Sequence, residues 1–431
     1  MGESVWSDTV HLPEFETLQG DAETDVLVIG GGLCGILCAY FLKQAGVDCM
    51  LVEGERIAGG ITRNTTAKLT SQHGLIYDRL IRTLGREKAA IYWKANENAL
   101  EHYRELADKI PCEWEEKDAY VYSLRDRERI EREVRAANSL GFPAKFVREL
   151  PLPFSTRGAV CFPHQAQFHP LKLIAQIAKE LPIYENTYVD NIRGNTAVTA
   201  HGSIRAGKFI VTTHFPFLNR HGSYFLKLYQ HRSYVLALEQ ATKVDGMYVD
   251  EARGGLSFRE YREFLLLGGG GHRTGKQGGG WKELEAFAAS NYPNARIKYR
   301  WATQDCMSLD GIPYIGQYSA RTPNLYVATG FNKWGMTFSM VAAMLLCDLV
   351  QGRENSMAEL FSPGRSMLKP QLLFNVLETG VNFLTPTLRR CTHMGCALKW
   401  NPGEHSWDCP CHGSRFGRDG EVLDNPAKFS R

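Results

Sequence analysis

The sequence predicts an α/β protein with an inserted, mostly β domain and a small all-β lobe at its C-terminus. Three observations predict this class: a strand–helix–strand pattern over residues 25–53, aromatic strands with glycine-rich turns over 226–299, and paired Cys/His motifs between 391 and 412. A length of 431 residues suggests two or three domains. The formal charge of +3 is too small to create the basic field that nucleic acids need, so we expect no nucleic-acid partner.

Residues 1–21 are expected to form an N-terminal extension. Glu3, Asp8, Glu14 and Glu16 are scattered through it, which is unlike the basic start and apolar core of an export signal. The longest nearly apolar run, 335–347, is shorter than the roughly 20 residues that a membrane helix needs, so we expect no membrane span. Both observations favour a cytoplasmic protein.

The first element is a βαβ unit. An apolar strand at 25–29 leads into Gly30-x-Gly32-x-x-Gly35, a helical pattern follows to Ala45, and a second strand ends at Glu53. Glycines at this turn let backbone N–H groups and the helix dipole reach a pyrophosphate, and Glu53 can accept a hydrogen bond from a ribose hydroxyl. The unit therefore predicts an adenine-dinucleotide site.

The elements that follow alternate between helices and strands. Residues 75–110 predict charged amphipathic helices with a break near Gly85, and 125–140 predict another helix. Short strands of the nucleotide-binding domain are expected over 189–213, and 324–330 predicts a buried strand followed by a helix that begins near Gly335. The aromatic strands around 226–299 are assigned to the inserted domain.

The C-terminal motifs place Cys391-x-His393 and Cys409-x-x-His412 on two loops. Two thiolates for one iron and two imidazoles for the other constitute the ligand set of a Rieske cluster. A tetrahedral zinc site is the alternative, since two Cys and two His also satisfy zinc. The spacing argues against zinc, because zinc fingers pair cysteine with cysteine and histidine with histidine.

These two hexapeptides resemble the Rieske loops of cytochrome bc-type complexes. The resemblance implies that Cys391, His393, Cys409 and His412 bind a 2Fe-2S cluster and that Cys396 and Cys411 form a disulfide between the loops. It covers only about residues 390–431. The preceding segment, 369–388, departs from the pattern, because it is a partly apolar connector where a β-rich base layer is expected. A lobe this small is expected to lean on the rest of the chain.

Residues 22–355 resemble the glycine oxidase and D-amino-acid oxidase superfamily of FAD-dependent oxidoreductases. Beyond the βαβ unit, the resemblance rests on residues 58–68, 168–170, 310–316, 328–331 and 335–337. It implies FAD as cofactor, with a helix N-terminus near Gly335 facing the flavin. The residues that we expect at the cofactor are Gly30, Gly32, Leu33, Gly35, Glu53, Gly60, Thr62, Thr65, Thr66, Lys68, Val189, Gly330, Gly335, Met336 and Thr337.

The two resemblances divide the chain. We expect the N-terminal extension (1–21), an FAD-dependent oxidoreductase region (22–362), a connector (363–389) and a truncated Rieske lobe (390–431). Within the oxidoreductase region, the Rossmann-type FAD-binding parts are expected at about 22–110, 155–220 and 305–355. The substrate domain is expected at about 221–304.

Substrate-side groups are harder to choose from sequence. A carboxylate substrate suits an arginine fork, and proton removal needs a base. An arginine in a β domain is more often part of an ion pair, and a histidine can equally be a hydrogen-bonded core residue. The candidates are His73, His169, Arg232, Tyr234, Arg259, His272, Arg273 and Lys333.

The predicted activity is oxidation of a small amine or amino-acid-like substrate by hydride transfer to flavin. The cluster then passes electrons singly to an acceptor such as a redox protein, because a Rieske centre is a one-electron carrier of raised potential. One alternative is an electron-transfer or reductase module, in which the cluster exchanges electrons with a protein partner and the flavin. Another is a purely structural iron site. A nicotinamide-driven reductase is disfavoured, because the glycine runs at 268–271 and 278–280 do not form a second GxGxxG turn.

Overall fold

A computed structural model of the chain describes residues 3–218, 221–252 and 254–430. The α-helices are α1 Leu33–Gln44, α2 Tyr77–Leu84, α3 Arg86–Ala107, α4 Arg127–Ser139, α5 Pro170–Ile177, α6 Tyr224–Lys227, α7 Gly280–Asn291, α8 Gly335–Val350, α9 Ala358–Phe361 and α10 Pro370–Leu384. Short 3-10 helices span Ile61–Asn64 and Ala178–Glu180. The first ten strands are β1 Ala22–Ile29, β2 Cys49–Val52, β3 Lys68–Leu69, β4 Glu115–Ser123, β5 Lys145–Val147, β6 Gly158–Gln167, β7 Ile183–Tyr184, β8 Val189–Arg193, β9 Thr196–Thr199 and β10 Ser203–Val211. The remaining strands are β11 Leu228–Glu239, β12 Met247–Asp250, β13 Ser257–Tyr261, β14 Phe264–Arg273, β15 Arg296–Ser308, β16 Tyr314–Gln317, β17 Leu325–Thr329, β18 Lys399–Asn401, β19 Ser406–Asp408, β20 Arg415–Phe416 and β21 Val422–Asp424.

The first sheet is the nucleotide-binding sheet. Its order is β16-β17-β10-β1-β2-β7, with parallel pairing from β17 through β7 and the β8–β9 hairpin attached to β10. The central strand β1 is buried from Val26 to Ile29, which explains its continuous apolar run. Helix α1 follows β1 directly and packs against α8. The predicted βαβ unit and the predicted strand at 324–330 belong to one sheet, because β10 pairs with both β1 and β17.

The second sheet is larger and mostly antiparallel. Its order is β15-β11-β14-β13-β12-β4-β6-β3, with β5 paired to β6. The sheet is not confined to 221–304, because β3, β4, β5 and β6 join it from residues 68–167. The junction is the parallel pairing of β4 with β12, from Ala119 opposite Met247 to Tyr122 opposite Asp250. Such a long-range pairing leaves no local signal in the sequence. Strand β6, within the expected FAD-binding part 155–220, also belongs to this second sheet.

The C-terminal lobe is a small antiparallel sheet with the order β18-β19-β20-β21. Its core contains Cys391, Cys396, Cys409, Cys411 and Phe416. The expected connector contains the 15-residue helix α10. Among the described residues, none of the helices combines the length and apolar character needed to cross a bilayer.

Candidate active site and cluster site

One large cavity, of about 1420 Å3, lies between the two sheets and the C-terminal lobe. All the expected cofactor residues except Gly35 and Thr337 line it. The lining set is Gly30, Gly32, Leu33, Glu53, Gly60, Thr62, Thr65, Thr66, Lys68, Val189, Gly330, Gly335 and Met336. This volume and position at the carboxyl ends of parallel strands fit a dinucleotide.

The glycine turn is built for close backbone approach. A Cβ on Gly35 would lie 1.9 Å from the carbonyl oxygen of Gly30, so Gly35 serves packing of the turn and does not line the cavity. Gly30 has a φ of +112°, which only glycine adopts readily. The N–H of Gly31 donates to Glu53 Oε2 at 2.6 Å. Burial raises the pKa of Glu53, against the opposing effect of its backbone hydrogen bonds.

The segment after the glycine turn is braced from behind. The guanidinium of Arg259 is buried and donates to the carbonyl oxygens of Thr66 and Ala67, each at 2.8 Å. The structure therefore corrects the expected substrate-binding role of Arg259. Its guanidinium binds the backbone carbonyls of residues 66 and 67, and it does not line the cavity. Thr337 is likewise structural, since its hydroxyl donates to the Thr70 carbonyl oxygen. Burial, aided by the charge of Arg259, lowers the pKa of Lys68 to about 7.

Strands β11 and β15 form a wall with two different faces. On the cavity face, three cross-strand pairs lie opposite each other: Tyr229 with Met307, His231 with Asp305, and Ser233 with Thr303. The cavity is also lined by Tyr234, Cys306 and Ser308, whereas other alternate residues lie where the C-terminal lobe docks. There Gln304 Nε2 donates to the Gly413 carbonyl oxygen at 2.9 Å, and Gly413 lies directly against the Gln230 side chain. The wall thus contacts the lobe directly, and lobe residues 422–428 line part of the same cavity.

Arg232 lies on the lobe face of this wall, which corrects its expected substrate role. Its guanidinium is buried and makes a two-pronged ion pair with the Glu404 carboxylate of the lobe. Glu404 also accepts from Arg415, so two arginines share one buried carboxylate. Burial opposes ionisation, but the charges of Arg232 and Arg415 keep the Glu404 pKa below its usual value. The carboxylate that Arg232 binds is thus the Glu404 side chain of the same protein.

The remaining candidates divide between cavity and scaffold. Tyr234 and Lys333 line the cavity; the Tyr234 hydroxyl also contacts Glu404 Oε1 at 3.1 Å and His272 Nε2 at 2.9 Å. Arg273 also lines the cavity, and it reaches the lobe, where its Nε donates to the Pro410 carbonyl oxygen. His272 does not line the cavity, since it bonds Tyr234 and the carbonyl oxygen of Arg273.

The two candidate histidines have different environments. His73 lines the cavity, stacks on Trp334 at 4.8 Å between ring centroids and bonds Tyr92 through Nδ1. Burial lowers the His73 pKa to about 3, so its imidazole is neutral at pH 7. His169 caps helix α5 by accepting from the Lys172 N–H, and its Nε2 bonds Thr9. His169 is therefore a scaffold residue outside the cavity, which corrects its place among the candidates.

Several polar residues of the cavity were not singled out from the sequence, among them Asp305 and Arg79. Asp305 lies on the cavity face of β15, and burial raises its pKa to about 6, against the effect of nearby Lys333 and Arg232. Arg79 also lines the cavity and donates to the Asp310 carbonyl oxygen at 2.6 Å. The alternation of side chains along a strand, which places Thr303, Asp305 and Met307 on one face, could have predicted that Asp305 lines the cavity.

The paired Cys/His loops come together at the top of the lobe. The Cys391 thiol hydrogen-bonds with Cys409, and the imidazole rings of His393 and His412 lie 5.0 Å apart between centroids. His412 is buried, and neither of its ring nitrogens has a hydrogen-bond partner in the described parts of the chain. An imidazole buried without such partners is suited to bind a metal ion. The donor set thus fits a 2Fe-2S cluster of the Rieske type.

The additional loop cysteines lie beside the ligand set. The sulfur atoms of Cys396, Cys409 and Cys411 all fall within 4.8 Å of one another. All described cysteines are free thiols in this structure, so the disulfide implied by the resemblance between Cys396 and Cys411 is not formed. Their closeness leaves oxidation of this pair as a prediction.

Comparison with known proteins defines the two parts. Residues 25–349 match the family described as FAD dependent oxidoreductase, and residues 376–430 match the Rieske [2Fe-2S] domain. The Bacillus subtilis protein YhfW, whose name describes a Rieske 2Fe-2S iron-sulfur protein, is 35% identical over 99% of this chain and 96% of its own length. A cytochrome b6-f complex iron-sulfur subunit of Nostoc is 54% identical over 37 residues, which are 9% of this chain and 21% of that subunit. Glycine oxidase from Geobacillus kaustophilus has a TM-score of 0.66 at 19% identity, covering 80% of this chain and 100% of that chain.

The fold and the two sites therefore define an oxidoreductase with a flavin region and an iron-sulfur lobe. The chain belongs to the FAD-dependent oxidoreductase family and carries a C-terminal Rieske domain, for which FAD and a 2Fe-2S cluster are the implied cofactors. Both resemblances inferred from the sequence are confirmed, as are the α/β class and the small β lobe.

Proposed function

We propose that the chain oxidises a small amine or amino-acid-like substrate in the cavity and releases the electrons singly through the Rieske lobe to an acceptor. The β11–β15 wall carries this proposal, because it lines the cavity and also contacts the lobe directly. When bound, FAD supplies a two-electron acceptor for hydride, and the cluster supplies a one-electron exit. The side chains of the cavity bind and orient the substrate.

The cavity suits a substrate that carries both charges. Asp305 offers a carboxylate to an ammonium group, and Lys333, whose Nζ donates to Ser233 Oγ at 3.0 Å, offers a cation to a carboxylate. Neutral His73 lies on the same cavity surface and adds no charge of its own to it. The name of the glycine oxidase of similar fold agrees with an amino-acid-like substrate.

The cofactor residues follow from the same surfaces. We assign the FAD site to the lining residues of the glycine turn, residues 60–68 and the start of α8. We assign the cluster to Cys391, His393, Cys409 and His412. Docking against the oxidoreductase region buries His412, whose ring lies beside Phe215 and Phe225.

A short stretch of chain connects the two sites. Thr213 and His214 line the cavity, and the next residue, Phe215, has its ring 6.2 Å from that of His393 and 6.3 Å from that of His412. His214 Nε2 also bonds Gln230 Oε1 at 3.1 Å, and Gln230 lies against Gly413. Covalent and packed contacts of this kind favour electron transfer within the molecule over transfer through solvent.

The test is an anaerobic titration of the protein loaded with both cofactors. A panel of amino acids, N-methylated amino acids and simple amines is added, with 2-hydroxy acids as the control series. We expect at least one amine to bleach the flavin absorbance, followed by reduction of the cluster. If no organic donor bleaches the flavin, but a reduced redox protein reduces the cluster and then the flavin, the chain is a cluster-fed reductase.

A further inference from the structure

Helix α10 has its polar face against the protein and its apolar face in solvent. Asn375 and Asn382 are the buried positions of the helix, each only 3% exposed. Asn375 Nδ2 donates to the Leu226 carbonyl oxygen, and Glu378 on the same face pairs with Lys276 at 2.7 Å. These bonds fix the rotation of the helix. The outward position of its apolar side chains is therefore a consequence of satisfied polar contacts.

Six of the exposed apolar side chains on α10 and its two flanks form what we term the α10 patch: Leu368, Leu373, Leu377, Val381, Leu384 and Leu388. Exposure of Val381 is 65% and of Leu384 is 80%, values that are unusual for adjacent turns of one helix. A water-soluble helix of this length normally buries such a face. The patch therefore requires an apolar surface outside the monomer.

The patch adjoins the cluster loops. At the helix end, a Cβ on Gly395 would lie 3.7 Å from the Phe383 ring, and the Ala397 N–H donates to the Asn382 carbonyl oxygen. The loop residue Met394 is itself 39% exposed. Helix and loop thus present one continuous apolar surface beside the cluster site.

Charge distinguishes between the possible occupants. Glu378 is the single acidic residue between 363 and 398, and it faces inward, whereas Lys369 precedes the helix and Arg389 and Arg390 follow it. In a symmetric dimer the same patch faces itself, so these basic ends of the two copies meet without acidic partners. An anionic bilayer offers apolar chains to the patch and negative headgroups to its basic ends.

We propose that the α10 patch binds the surface of an anionic lipid bilayer, with α10 lying in the plane of the interface. Attachment of this kind needs no spanning helix, because the apolar face enters only the boundary between headgroups and acyl chains. It brings the cluster loops to the lipid surface. The inference does not depend on the substrate or on the direction of electron transfer.

The experiment is vesicle flotation of the protein loaded with both cofactors. Vesicles of phosphatidylcholine with phosphatidylglycerol are compared with vesicles of phosphatidylcholine alone, and the doubly substituted Val381→Asp, Leu384→Asp protein is compared with the original. We expect binding to the anionic vesicles, at least about tenfold weaker binding to the neutral ones, and a loss of about tenfold or more in the variant. Leu124→Asp is the matched control and should bind normally, because Leu124 is an apolar residue of 47% exposure that lies outside the α10 patch.

Three results would overturn the proposal. The first is that the original protein floats with neither kind of vesicle, and the second is that the double variant floats as well as the original. Alternatively, sedimentation equilibrium could show a dimer that the double variant dissociates, in which case a second copy covers the patch. Unchanged flavin and cluster absorbance spectra establish that the variants are folded.

Discussion

At the residue scale, Glu53 holds the glycine turn at the edge of the cavity. Its carboxylate accepts from the N–H groups of Gly31 at 2.6 Å and Glu55 at 3.0 Å, and it lines the cavity. Glu53→Ala should weaken FAD binding by about 1–3 kcal/mol, because it leaves buried donors without an acceptor. Fluorescence titration of the apoprotein with FAD measures this. Glu87→Ala, at an exposed position of α3 outside the cavity, is the control, and equal affinity of both variants would place the nucleotide elsewhere.

Asp305 gives the cavity a pH dependence. Burial raises its pKa to about 6, above the roughly 3.9 of an aspartate in an unfolded chain. Between about pH 4 and 6 the folded chain therefore binds more protons than the unfolded chain, and the free energy of unfolding falls as pH rises through this window. The stabilisation is fully present below about pH 4 and lost above about pH 6.

Asp305→Asn should remove that loss. We expect the variant apoprotein to be more stable than the original by about 1–3 kcal/mol at pH 8, with a smaller difference at pH 5. Thermal unfolding at the two pH values measures it, with exposed Asp419→Asn as the control. A gain of the same size at both pH values would show that ionisation of Asp305 is not the cause.

At the scale of elements, the alternation of side chains along β11 places neighbouring residues in different surroundings. His231 and Ser233 face the cavity, whereas Arg232 faces the lobe and pairs with Glu404. Arg232→Ala should destabilise the docked lobe by about 3–5 kcal/mol, because it breaks a buried ion pair. Hydrogen exchange across residues 399–424 should rise. Arg300→Ala, which removes an exposed pair with Glu285, should have an effect below about 1 kcal/mol.

The cluster loops permit a test of the Cys396–Cys411 pair. Their sulfur atoms lie within 4.8 Å of each other, close enough for small rotations to join them. We expect thiol titration of denatured, anaerobically purified protein to find two more thiols after reduction than before. Cys396→Ser should abolish this difference. An unchanged thiol count in the original protein would show that the loops stay reduced.

At the scale of the whole molecule, the sequence predicted what depends on short-range pattern. The βαβ unit, the Cys/His loops and the strand before α8 each lie within a few residues of their own signals. The course of the second sheet was not predictable in this way, because β4 pairs with a strand more than a hundred residues later. Arg232 was misassigned for a related reason: its partner Glu404 lies 172 residues away.

The central claim, that substrate electrons pass from flavin to cluster, is tested most directly by rapid mixing with His412→Cys. The substitution keeps a cluster ligand but removes an imidazole, which lowers the cluster potential, and each 59 mV costs about tenfold in the equilibrium constant of a one-electron step. We predict near-normal bleaching of the flavin by the organic substrate and a loss of turnover with a one-electron acceptor that draws from the cluster. Slowed flavin bleaching with unchanged acceptor turnover would contradict the claim.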